Sequence, residues 1–223
     1  MRGVWAIARK DFQSELRSKE AINASVSFAL VILLIFSFAF EPTADETRAI
    51  AGGLLWIAFA FAGALILNRS FARELQNDCL DAVIASPIAG WELFLGKALA
   101  SFLLLLVVEL ICFPVFSIFY GVNLTKAFWP LLLVLILGTW ALTALGVTFA
   151  ALTVNIRLRE LMLPLLLYPA LSPALMASMT LTTSLLTAGV FGANDQPWLR
   201  LLVGFDVIFT ALALALIEFV LVL

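Results

Sequence analysis

Few side chains in this 223-residue sequence are equipped for chemistry, and their types exclude more than they permit. There is no histidine, which removes the commonest metal ligand and the commonest proton shuttle. A haem held by an axial histidine is therefore excluded within this chain. The two cysteines, Cys79 and Cys112, fall in a polar segment and an apolar run; they form no CxxC pair, do not suit a disulfide, and indicate no redox compartment. Three acids interrupt apolar stretches: Glu109, Asp206 and Glu218. An ionisable group in lipid costs several kcal/mol unless it is paired, neutral or hydrated. Glu109 then either belongs to a translocation path or subunit contact, or is a protonated, hydrogen-bonded structural carboxyl. Asp206 reads as structural, and Glu218 as an acid snorkelling to the interface near the end of its span. Met162, Met176, Met179, Tyr120 and Tyr168 have the character to touch a porphyrin, but methionine in apolar segments ordinarily packs. No catalytic constellation and no metal site emerge, so the chain does not read as an enzyme.

Nucleotide chemistry is excluded as well. A P-loop needs G-x-x-x-x-G-K-[ST], so that backbone N–H groups and the lysine cradle phosphates. The nearest approach, Gly90-Trp-Glu-Leu-Phe-Leu-Gly96-Lys97-Ala98, misses both the spacing and the hydroxyl. Any ATP must be hydrolysed elsewhere.

The elements that position these residues follow from composition. Hydrophobic residues make up 64% of the chain and charged ones 13%, against roughly 45–50% and about 25% in soluble domains. A net charge of −2 gives no reason to expect nucleic acid as a partner. Because a bilayer core needs about 20 consecutive apolar residues, the sequence predicts an all-α integral membrane protein with spans at 21–40, 49–67, 98–119, 128–152, 161–180 and 199–222. These make a single transmembrane domain, 21–223. The first long apolar run has spanning length rather than the form of a removable signal peptide. In residues 1–20, Val4, Trp5, Ala8, Phe12 and Leu16 recur at helical spacing, opposite Arg9, Lys10, Gln13, Arg17 and Lys19. That pattern predicts an amphipathic helix in the membrane interface, its basic face toward lipid headgroups. In the fourth span, Gly138, Gly146 and Ala150 share a face that permits close helix approach.

The stretch Leu161–Val190 exceeds one straight span and carries Pro164, Pro169 and Pro173. Proline breaks the backbone ladder, so a kinked span to about Thr180 is expected, followed by a re-entrant outer helix over 181–192. With the N-terminus inside, cytoplasmic segments hold Arg2, Arg9, Lys10, Arg17, Lys19, Arg69, Arg73, Lys97, Arg157 and Arg159; outer segments hold only Arg48, Lys126 and Arg200. The positive-inside rule then places both termini in the cytoplasm.

The longest polar excursion, 68–97, is on that same side. Phe71, Leu75 and Val83 suit burial on a helix, while Glu74, Gln76, Asn77, Asp78 and Asp81 stay wet; Ser86-Pro87 stops one helix or starts another. About thirty partly apolar residues exceed what an inert connector requires.

This segment, Phe71-Ala-Arg-Glu74-Leu75-Gln-Asn-Asp78-Cys-Leu80-Asp81-Ala-Val83 followed by Ser86-Pro87 and Lys97, resembles the first cytoplasmic loop of exporter-type ABC permeases, and more closely that of the CcmB family. The likeness extends over nearly the whole chain. It takes in the basic N-terminus, the six spans, the Leu152-Thr153-Val154 exit, Pro169-Ala-Leu-Ser-Pro173, Gly204-Phe205-Asp206-Val207 and Glu218-Phe219. Asp78 stands where the family usually has glycine. The resemblance implies the permease subunit of a haem exporter in bacterial cytochrome c maturation, in the inner membrane. It further implies a coupling helix in loop 68–97 that docks on a CcmA-like ATP-binding subunit, other membrane subunits of that system, and a possible second copy of the chain. On this reading no cofactor is bound tightly, ATP belongs to the partner, and haem is cargo, or else ATP hydrolysis releases a haem-loaded chaperone. An ABC permease for a lipid, glycan or drug shares the loop; a secondary transporter would need a coupling-ion site at the midplane; a passive scaffold would lack an ATPase partner.

Overall fold

A computed structural model describes residues 2–40, 45–71, 89–122, 127–154, 156 and 158–222. Every long element among them is a helix: α1 (Arg2–Ser18), α2 (Glu20–Ala39), α3 (Asp45–Arg69), α4 (Gly90–Tyr120), α5 (Phe128–Leu152), α6 (Arg159–Ala188) and α7 (Gln196–Val222). Helices α2 to α7 are each long and apolar enough to cross a bilayer, six in all among the described residues. The chain is an all-α membrane protein.

Helix α3 lies at the centre. It packs on α2, α4, α5 and α6, and Leu55, Trp56, Phe59 and Leu67 are fully enclosed. The outer helices keep large apolar side chains exposed, such as Phe38, Leu110, Ile118 and Trp129, as a lipid-facing surface requires. Small residues set the close approaches on α5. A Cβ at Gly138 would collide with the Trp56 ring and stand 2.6 Å from Ser178 Oγ, and one at Gly146 would collide with Leu67.

Two features differ from the sequence expectation. Helix α6 runs unbroken from Arg159 to Ala188 and then stops at Gly189, whose φ of +78° only glycine adopts without strain. The separate outer helix over 181–192 is therefore replaced by a longer α6. Prolines 164, 169 and 173 lie inside it. The carbonyl of Pro169, which the ring at Pro173 deprives of its helical donor, accepts the Ser172 hydroxyl at 2.8 Å. Such local repair lets a helix carry proline at membrane depth. Second, α4 begins at Gly90, eight residues before the apolar run at 98, so it projects beyond the expected span.

Helix α1 lies along that projecting part of α4. At Gly96 a Cβ would stand 2.7 Å from Ile7 Cβ and 3.1 Å from the Val4 carbonyl, so glycine permits this contact. The turn into α2 places Lys19 at a φ of 57°. There Glu15, itself buried, accepts the Ala21 N–H at 2.9 Å and satisfies one of the donors left open at the start of α2. Arg69 at the end of α3 donates to Glu20 at 2.8 Å, tying α3 to α2 at the same end of the bundle.

Candidate functional site

Two regions concentrate polar groups. The first is the junction at the base of the 70–89 connection. Lys97, two turns into α4, is only 1% exposed. Its ammonium donates to the Ser70 carbonyl at 2.6 Å, pairs with Asp11 of α1 at 3.3 Å, and sits 4.5 Å from the centre of the Phe71 ring. One side chain thus touches α1 and the exit from α3.

Phe71 is 2% exposed and belongs to the core of the bundle. The ring packs under Lys97 and against the bundle. It is a stem of the connection. The remaining members of the expected docking set, Glu74, Leu75, Asp78, Leu80, Asp81, Val83, Ser86 and Pro87, lie outside the described residues.

The second region is inside the bundle. Glu109 on α4 is 1% exposed, and its Oε1 accepts the Thr139 hydroxyl of α5 at 2.6 Å. Its Oε2 has no hydrogen-bond partner among the described residues. The absent side chain of Gly138, next to Thr139, admits the Trp56 ring. The Trp56 indole in turn donates to Thr182 of α6 at 2.9 Å. Hydroxyl, indole and carboxyl groups therefore mark the contacts among α3, α4, α5 and α6. On α7, Asp206 is 7% exposed, and neither of its oxygens has a partner among the described residues. One turn further on, Thr210 accepts from the Trp140 indole at 3.0 Å, which sets that face of α7 against α5. The side chain of Glu218 lies outside the described residues. Groups of three or more potential metal ligands are absent among the described residues.

Asp11 and Thr139 were not singled out by the sequence. Asp11 reads as one more charge in a charged helix, and threonine in an apolar span often bonds back to its own helix, as Thr143 does to the Thr139 carbonyl at 2.9 Å. A usable signal was Lys97 itself, a lysine directly preceding an apolar run.

Fold and site together define a polytopic helical membrane protein with a polar seam within its bundle and a charged junction at one end. The sequence matches the family described as CcmB protein over residues 2–220, and the chain belongs to that family. Curated relatives agree. It is 29% identical over 214 residues to heme exporter protein B of Rhodobacter capsulatus, covering 96% of this chain and 94% of the relative. It is 33% identical over 204 residues to heme exporter protein B of Pseudomonas aeruginosa, covering 91% and 86%. With the protein of the same name from Paracoccus denitrificans it shares 30% identity over 171 residues, 76% of this chain and 78% of the relative.

Proposed function

We propose that this chain is the membrane subunit of an ABC-type haem-export complex acting in cytochrome c maturation. The observation that carries this reading is the end-to-end match to the CcmB family, together with relatives named heme exporter protein B. The chemistry of the chain is in keeping with it. The sequence has no nucleotide motif, so on this reading ATP is hydrolysed by a CcmA-like partner. The connection between α3 and α4 is the docking element, and it transmits closure of the ATPase subunits to the spans. Haem is cargo, and its iron takes no axial histidine from this chain, which has none. The subunit sits in the bacterial inner membrane with both termini cytoplasmic, as its basic residues favour.

The test is restoration of c-type cytochromes. A bacterium lacking its own CcmB-family gene, given this chain with its cognate partners, regains covalently haem-stained cytochromes; an ATPase-dead partner abolishes the gain. If staining returns with the ATPase-dead partner, or never returns although the chain and its partners accumulate, the assignment is wrong.

A further inference from the structure

A lysine that is 99% enclosed is held in place by whatever replaces its water. Around Lys97 the replacements come from two other elements: the Asp11 carboxylate from α1 at 3.3 Å, and the Ser70 carbonyl at 2.6 Å and Phe71 ring face at 4.5 Å from the exit of α3. Charge-assisted hydrogen bonds and a desolvated cation over an aromatic face are the stronger forms of these contacts. The ammonium itself rides on α4, just beyond the point where the connection re-enters the bundle. One buried charge therefore joins α1 to both stems of the connection. Packing reinforces the joint, because Gly96 beside Lys97 lets Ile7 and Val4 of α1 approach the α4 backbone.

We propose that Lys97 is a positioning residue that locks the interfacial helix α1 to both stems of the α3–α4 connection, so that the three move as one body. Its role in transport rests on the coupling reading above; the mechanical joint does not. Asp11 and Ser70 are 86 and 27 residues from Lys97 in sequence, so local folding of α4 cannot by itself produce the arrangement. A unit of this kind extends the surface that an ATPase partner pushes, from the connection alone to the connection plus a helix seventeen residues long.

The experiment is a spin-label distance measurement on the full chain in lipid nanodiscs, with and without the ATPase subunit. Labels go on native Cys79 and on Trp5→Cys, a position 61% exposed on α1. A control pair, Phe38→Cys with Trp129→Cys in a Cys79→Ser background, reports the opposite end of the bundle. Lys97→Met keeps the stem and removes the charge; Asp11→Ala removes its partner at a site still 20% exposed, in case Lys97→Met fails to accumulate. Both variants should broaden the Cys79–Trp5 distribution while leaving the control pair narrow. Cytochrome yield per inserted chain should fall in both variants. Unchanged distributions in the accumulating variants, or equal broadening of the control pair, would overturn the joint. Broadening without loss of cytochrome yield would overturn the role in transport. Leu80→Asp, which tests ATPase docking, separates the two readings: its failure leaves the distance result standing.

Discussion

The junction at Lys97 and the interior around Glu109 and Asp206 are both buried and both charged by composition, yet they are finished differently. Lys97 meets a carboxylate, a carbonyl and an aromatic face. Glu109 has one hydroxyl for two oxygens, and Asp206 has no hydrogen-bond partner for either oxygen among the described residues. A buried charge with its partners in place contributes to a single geometry, whereas a buried polar atom left open costs about 1–3 kcal/mol. The difference is one of completion: the cation at the junction is enclosed by partners from two other elements, whereas the interior acids keep oxygens with no partner among the described residues.

Charge reversal at the junction should have the largest effect. Lys97→Glu would set a carboxylate against Asp11 and the Ser70 carbonyl, and breaking a buried pair in this way costs about 3–5 kcal/mol. Little folded protein should survive extraction, as read by a fluorescence-monitored gel-filtration peak and its melting temperature. A variant that melts like the parent would break the comparison at its stronger end.

At Glu109 the effect should be intermediate and selective. Glu109→Gln keeps an acceptor for the Thr139 hydroxyl and should fold and assemble normally. Glu109→Leu removes the bond between α4 and α5, a net contribution of about 0.5–1.5 kcal/mol, and should impair assembly or cytochrome maturation. Full tolerance of Leu in the maturation assay would mean that the carboxyl has no role in either.

The smallest effect belongs to Asp206. Replacing an unpartnered buried carboxyl by an apolar side chain is neutral or mildly stabilising, so Asp206→Leu should leave the melting temperature level or raised. A clear drop would reveal a partner for this acid and erase the contrast with Lys97.

Most of the architecture was legible in the sequence because bilayer thickness sets the length of each apolar run. The same holds for Gly138 and Gly146, whose small size at helical spacing announced the contacts they make with Trp56 and Leu67. The unbroken α6 was not legible. Three prolines argue locally for interruption, and only the fold shows Ser172 occupying the carbonyl of Pro169. Glu109 stood out as an acid in an apolar run, but its partner Thr139 lies 30 residues away on another helix. Phe71 was legible as an apolar side chain suited to burial, but it is buried in the turn after α3, and its place against the bundle under Lys97 depends on the fold.

The central claim is that the α3–α4 connection receives a separate ATPase, and co-purification tests it most directly. A helix docked in a groove draws affinity from a few buried apolar anchors, while rim charges set orientation and encounter rate. Leu80→Asp should therefore cost a few kcal/mol and release the ATPase subunit from the tagged chain, while Asp81→Ala should retain it, with equal amounts of chain in the membrane. Retention of the ATPase at parental levels by Leu80→Asp would contradict the account.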